Sequence, residues 1–336
     1  MGFFTIPDAE LQIGNLLTSL QVNFDVCGGS LKLIYLIFFI RKLRSAHAIL
    51  DILDKRCRDA DEINEIENAN TFGRGCILAF AFAYVSYTIT TCLGSVIMGH
   101  PPYSLYFPHI NWRRSSMEFF AASTMETFLM FQGCVQQIVN DSYAVIYVRI
   151  LRAHMKILLL RIQKLCTDRT LSLEQNNQAL KLCVKDHQNI LELYNIISPI
   201  ISVTMFIQLM ITATILGTTL INLTIFAPDL TSRIGSCFFI LAVVTQSFPI
   251  CYQAQCLMDE SSRLAEVILH SHWVDQDMSY RKMLIFYMQR TQILMKLTAG
   301  KIIPINLNSF LSIAKFSFSL YTFIKEMNIK EKFDLT

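Results

Sequence analysis

Uncharged apolar runs of bilayer length alternate along this chain with stretches in which charge recurs every few residues. Cys76 to Gly99, Ile196 to Ala227 and Ile234 to Met258 carry no formal charge. About 20 apolar residues in helix cross a hydrocarbon core roughly 30 Å thick. Phe119 to Val148 has comparable length, with Glu126 near its middle and Asp141 near its end, and Ile302 to Ile324 holds the single charge Lys315. Leu11 to Ile40 is the most interrupted, by Asn23, Asp25, Lys32 and the Gly28-Gly29 pair, yet its later half from Leu33 is strongly apolar. The pattern predicts an all-α integral membrane bundle of six spans, about 11–40, 76–99, 119–148, 196–227, 234–258 and 302–324. Long runs rather than short alternating strands exclude a membrane barrel.

The segments between spans are themselves periodic. Val148, Leu151, Met155, Leu158, Ile162 and Leu165 recur at three and four residues, with Arg149, Arg152, Lys156 and Lys164 among them, which predicts a helix continuing past the third span. Leu180 to Tyr194 and Met283 to Leu297 read the same way. Residues 149–195 and 259–300 are therefore expected to form anchor helices that pack into a cytosolic bundle. The alternative is amphipathic helices lying on the membrane surface.

Composition strengthens the membrane reading, since 53% of residues are hydrophobic and 16% charged, against about a quarter charged in soluble domains. Membrane lipid is the implied solvent. The net charge of +3 is spread along the chain, so no nucleic-acid surface is expected. Lys and Arg concentrate after the first, third and fifth spans, whereas the other connections hold only Arg113, Arg114 and Arg233. That bias puts the basic segments in the cytosol and the C-terminal tail outside. The ten cysteines fall in apolar spans or basic segments and are expected to be reduced. Met1 to Pro7 lacks the features of a signal peptide, and Asn222-Leu-Thr224 is a glycosylation sequon near an outer helix end.

No catalytic motif survives inspection: the chain has no phosphate-binding glycine loop, no nucleophile elbow and no His-Glu-x-x-His. It is not expected to be an enzyme or to hold a cofactor. His270 and His272 flank Ser271 without a carboxylate or thiol in register, so a metal is not expected either. Glu126 is a functional candidate because an ionisable group inside a bilayer is costly. The competing reading, a glutamate near the outer interface hydrogen-bonded to a neighbouring helix, is favoured. Tyr84, Tyr87, Thr91, Ser95 and Met98 on the second span face Phe120, Thr124, Phe128 and Phe131 on the third. Together they could line an apolar pocket with a few hydroxyls, suited to small lipophilic or volatile ligands. Ordinary aromatic packing competes at each position. In the last span, Asn308, Ser312, Ser319 and Thr322 mixed with Phe316 and Phe323 fit either a helix wetted on one side or a buried helix with satisfied hydroxyls.

Several segments resemble the insect odorant receptor family. They are Cys251-Tyr-Gln-Ala-Gln-Cys256, Glu260-Ser-Ser, Ile268-Leu-His-Ser-His-Trp273, Ala299-Gly-Lys301 and Ile313 through Phe323. Upstream, His100-Pro-Pro-Tyr103, Asn111-Trp-Arg-Arg114, Asp141-Ser-Tyr143 and Arg152-Ala-His154 resemble it too. The resemblance implies seven spans with an extracellular C-terminus, and a tuning subunit that assembles with a shared co-receptor into a tetrameric ligand-gated cation channel. The expected location is the plasma membrane of olfactory neuron dendrites. It also implies a pore lined by the last helix, with Ser319 on its wall, a hydrophobic gate at Phe323 and Met327, and Glu326 beside the outer mouth. Glu326 replaces the amide-like residue expected there. A pocket in the outer helix halves would take Tyr87, Thr91, Met98, Phe120, Thr124 and Phe128, together with Phe238 and Leu241 on the fifth span. The family's first span has no counterpart after Met1, which reads as an incomplete sequence or a shortened isoform.

Two other classes compete. A metabotropic seven-helix receptor would show an Asp-Arg-Tyr-like end to its third span, an Asn-Pro-x-x-Tyr in its last and a cytosolic C-terminus. A secondary transporter would show paired broken helices in related halves, and no internal repeat is visible.

Overall fold

The computed structural model describes residues 13–99, 101–102, 110–168, 170–223 and 230–326. They form α1 (Ile13–Asp54), α2 (Ala60–Met98), α3 (Ser116–Gln163), α4 (Leu173–Ile221), α5 (Leu230–Leu269) and α6 (Met278–Thr291). A small antiparallel hairpin, β1 (Thr298–Ala299) with β2 (Ile303–Pro304), then leads into α7 (Leu307–Glu326). Each expected span falls largely on one long helix. Leu20–Asp54, Ala60–Gly94, Leu173–Ile221 and Arg233–Leu269 are long and apolar enough to cross a membrane. Polar side chains thread α3, from Glu126 to Asp141, and α7, from Asn308 to Thr322.

The periodic extensions are continuous with the spans rather than separate helices. The α3 helix runs on to Gln163, and α4 starts at Leu173, well before Leu180. Local chemistry sets these ends. The Ser115 hydroxyl accepts from the Glu118 amide at 3.2 Å at the start of α3. Ser172 and Gln175 form a reciprocal capping box at the start of α4, at 3.2 and 2.8 Å. Each satisfies amides that a helix start leaves without intrahelical partners.

Two boundaries differ from the sequence expectation. The last span does not begin at Ile302, and residues 292–300 are not helical. Pro304 lacks the amide a helix needs. The Ile302 amide also donates back to the Ala299 carbonyl at 3.1 Å across Gly300 and Lys301, whose φ values are +60° and +61°. Two successive left-handed residues make a tight hairpin turn. The Gly300 amide bonds the Ser202 carbonyl at 2.8 Å, and a Cβ there would lie 2.7 Å from the Phe206 ring. Glycine is needed for both the φ and the approach, and the close contact docks the entry to α7 onto α4.

The buried core runs continuously along α3. Val145, Val148, Leu151, Met155, Leu158 and Ile162 are buried with Leu53, Leu180, Leu193 and Leu264 from surrounding helices. Beyond the expected spans the packing is reinforced by charge. Arg161 on α3 holds Glu62 of α2 through two bonds of 2.6 and 2.9 Å and Asp186 of α4 at 2.7 Å. Asp186 also pairs with Arg56. Arg149 meets Glu65 at 2.9 Å and Arg152 meets Glu260 of α5 at 2.8 Å. Burial raises the Glu62 carboxyl pKa, but the hydrogen bonds and charge of Arg161 outweigh it and hold the carboxyl below its usual range. At Asp186 burial prevails over both arginines and leaves the carboxyl raised.

Candidate ligand cavity and polar helix face

The expected spans of α1, α2, α3 and α5 line a partly open cavity of about 80 Å³. Val22, Asp25 and Val26 of α1 line it with Tyr84, Tyr87 and Thr88 of α2. The remaining walls are Met130, Gly133, Cys134 and Gln137 of α3 and Phe239, Ala242, Val243 and Gln246 of α5. The spacing 239, 242, 243, 246 is one face of a helix. Tyr87 and Phe239 close one side with ring centroids 5.1 Å apart.

Below the cavity lies a buried ionic hub. Asp141 accepts from Lys32 of α1 at 2.9 Å, from the Tyr84 hydroxyl at 2.8 Å and from the Gln246 amide at 2.8 Å. Lys32 also donates to Gln208 of α4, whose amide reaches Thr212 at 3.2 Å, and Thr212 contacts Ser247 of α5 at 3.1 Å. Five helices thus meet at one ion pair whose side chains are 2% and 4% exposed. A buried pair of this kind is tolerable only when its remaining hydrogen-bonding capacity is filled, and here neutral donors and acceptors fill it. Tyr84 and Gln246 belong to both hub and cavity wall, so what enters the cavity touches residues that hold Asp141.

The expected pocket residues divide. Tyr84 and Tyr87 line the cavity. Phe120, Phe128 and Leu241 are exposed on the outer, apolar face of the bundle, and Phe238 is turned the same way. Thr124 is exposed and its hydroxyl donates to the Phe120 carbonyl at 2.7 Å, while half-buried Thr91 donates to Tyr87 at 2.9 Å. None of these six is in the lining. On α5 the lining begins one position later, at Phe239, about 100° around the helix. The Met98 side chain lies outside the described residues. Glu126 is buried, at 1% exposure, and so is the sequon residue Asn222, at 3%. The residues missed were Asp25, Lys32 and Gln246. Asp25 and Lys32 are seven apart on one helix face, a signal available in the sequence but there treated as two interruptions of a weak span.

The α7 helix has two opposed faces. Ser317 is fully buried, its hydroxyl donating to Ala213 of α4 at 3.2 Å and to Ile313 at 2.9 Å. Phe310 and Ile313 pack against the core on that side. At about 100° per residue, Asn308, Ser312, Lys315, Ser319, Thr322, Phe323 and Glu326 fall within an arc of about 100° centred opposite Ser317. Their side chains are exposed, apart from half-buried Thr322. Ser312, Ser319 and Thr322 return their hydroxyl protons to carbonyls four residues back, at 2.8, 3.0 and 2.8 Å. This leaves hydroxyl oxygens directed outward as acceptors. Met327 lies outside the described residues.

The chain is similar to known proteins along nearly its whole length. The 7tm Odorant receptor family model matches residues 12–318. Odorant receptor 42b of Drosophila melanogaster is 38% identical over 99% of this chain and 83% of its own length. Odorant receptor 42a of the same fly is 34% identical over 96% of this chain and 80% of its own. The solved insect olfactory receptor OR5 from Machilis hrabei, in complex with eugenol, superposes with a TM-score of 0.79 at 14% identity, over 94% of this chain and 82% of that one. At that identity the likeness is one of fold. With the family model matched across nearly all of the described residues, and with relatives above 30% identity aligned over almost the full chain, this protein belongs to the insect odorant receptor family of membrane receptors.

Proposed function

We propose that the chain is a tuning subunit of a heteromeric ligand-gated, non-selective cation channel. In this reading it assembles with the odorant receptor co-receptor in the plasma membrane of olfactory sensory neuron dendrites. A small volatile ligand occupies the cavity among α1, α2, α3 and α5, and α7 contributes one wall of the pore. The observation that carries this reading is the two-faced α7. Its buried face is held to α4 by Ser317, and its polar stripe is left largely exposed by the described residues of its own bundle. Such a stripe in lipid would leave Lys315 and Glu326 poorly solvated, whereas a water-filled pore between subunits hydrates them. Phe323 would supply the narrow apolar gate.

Ligand occupancy would reach α7 through shared contacts. The cavity wall holds Tyr84 and Gln246, both bonded to Asp141, and Lys32 carries the linkage to Gln208 on α4. The α4 helix in turn bears Ser202 and Ala213, which bond the hairpin and α7. Co-expression with the co-receptor and challenge with a panel of small volatiles, read as whole-cell current, tests the proposal. A cation current dependent on both subunits is expected. Surface-expressed subunits that conduct with no volatile would overturn it.

A further inference from the structure

We propose that the cavity selects ligands whose polar group is a hydrogen-bond donor, a hydroxyl or an ammonium on a short aliphatic body, over isosteric ligands that only accept. This rests on the reading of the cavity as the ligand site and adds to it a chemical class.

The donors of Tyr84, Gln246, Thr88 and Cys134 at the wall are directed at acceptors within the protein. The Tyr84 hydroxyl and the Gln246 amide both donate to Asp141 at 2.8 Å. The Thr88 hydroxyl donates to the Tyr84 carbonyl at 3.0 Å, and the Cys134 thiol points to the same carbonyl at 3.6 Å. The acceptors are in surplus. Gln137 is 94% buried by its 6% exposure, its amide nitrogen is spent on the Asp25 carbonyl at 3.1 Å, and its Oε1 has no partner. Beside it on the lining is Asp25, whose carboxyl offers about four acceptor positions when ionised.

Charge points the same way. Asp25 and Lys32 share a face of α1 two turns apart, and the lysine side chain leans back toward the helix N-terminus. Lys32 is held at 2.9 Å by Asp141, so one cation stands against two carboxyl groups. A ligand proton directed at Asp25 and Gln137 satisfies a buried acceptor and offsets the excess of acid. A ligand ether or carbonyl oxygen placed there meets only lone pairs, which leaves polar groups on both sides unmatched.

Size restricts the body. A cavity of about 80 Å³ is roughly half the 150 Å³ cavity that accommodates benzene in another protein. Its aliphatic and aromatic lining, with Val22, Met130 and Val243, suits a chain of a few carbons.

The test uses the full-length chain co-expressed with the co-receptor. Four probes of equal heavy-atom count are compared: n-butanol, n-butylamine, methyl propyl ether and butanone. Binding is read as ligand-induced thermal stabilisation of the solubilised receptor, and current is recorded in parallel. Butanol and butylamine are expected to bind roughly tenfold or more tightly than the ether and the ketone, as when a buried hydrogen-bonding group is left unmatched. Gln137→Met should shrink that ratio for both donors. Asp25→Asn should weaken butylamine more than butanol, since only the amine adds charge pairing. The outward-facing Phe128→Ala should leave the ratio unchanged. Equal binding of all four probes by the unsubstituted receptor, a measurement that needs no variant to fold, would overturn the inference. Selective binding without current would sink the channel reading instead, and current evoked equally by ether and ketone would sink the inference while leaving the channel reading intact.

Discussion

The chain holds two ionic centres, and they are built differently. In the expected spans, Asp141 gathers one cation and two neutral donors from three other helices. In the helical extensions beyond them, the expected anchor, Arg161 sits in a ladder of acids and bases, with Arg56, Arg149, Arg152, Lys156 and Lys164 on acidic partners. The first is a single pair closed off from water and touching the cavity wall. The second is redundant, with several pairs partly exposed. The difference shows where the molecule can tolerate change. In a low dielectric each charge depends on its one partner, whereas in the anchor a lost partner is replaced by another or by water. Under the proposed function, a ligand that disturbs Tyr84 or Gln246 would act on the sensitive centre, with the second as the more tolerant frame.

The largest effect is expected from Lys32→Met, which leaves Asp141 without its cation. The loss should be about 3 to 5 kcal/mol, typical of breaking a buried pair, measured by thermal unfolding of the solubilised receptor. Adding Asp141→Asn should recover at least half of it, a coupling that independent sites would not show. Simple additivity of the two losses would mean that the hub is not a functional pair.

Acid should separate the centres next. His187 of α4 lies in the anchor beside Tyr287, with ring centroids 5.6 Å apart, and burial holds its imidazole down to about 4 from an ordinary 6.5. Between those values the unfolded chain binds the extra proton. Stability from the neutral ring is therefore complete above pH 6.5 and is lost as pH falls toward 4, by up to about 3 kcal/mol. His187→Gln should flatten that part of the pH profile while leaving the rest in place. An unchanged slope would place the sensitivity elsewhere.

Within the anchor, Arg161→Ala should cost about 2 to 3 kcal/mol, as for lost hydrogen bonds between charged groups, because Arg56 still holds Asp186. Lys164→Ala removes only the exposed contacts to Asp59 and Asp61 and should leave the melting temperature unchanged within error. A larger loss at Lys164 than at Arg161 would reverse the ranking on which the comparison stands.

Much of the architecture was legible in the sequence because it follows from periodicity. Uncharged runs such as Ile234 to Met258 have one stable solution in lipid, and the Val148 to Leu165 pattern dictated a helix beyond it. The start of α7 was not, since hydropathy treats Ile302 and Ile303 as membrane residues and says nothing of the Gly300-Lys301 turn or the docking on Ser202. The cavity was half legible. Aromatic and hydroxyl spacing marks Tyr84 and Tyr87, but which side of α3 and α5 faces inward depends on helix rotation. Both the inner and the outer faces of these helices are apolar, so Phe238 and Phe239 look alike in sequence. In a membrane bundle the inward face is marked by polar residues, and Asp25, Lys32, Gln137 and Gln246 carry that mark. The same rule fits α3 and α7, both threaded by polar side chains, which hold the hub's Asp141 and the proposed pore wall.

The central claim, that the stripe opposite Ser317 faces a water-filled pore, is tested most directly by cysteine accessibility during current recording. Ser319→Cys and Ser317→Cys, two residues apart on opposite faces of α7, are compared in receptors co-expressed with the co-receptor, with the unsubstituted chain as control for its own exposed Cys27 and Cys237. A charged thiol reagent should alter the ligand-evoked current through Ser319→Cys and leave Ser317→Cys at the control level. Modification at position 317 with none at 319 would contradict the account.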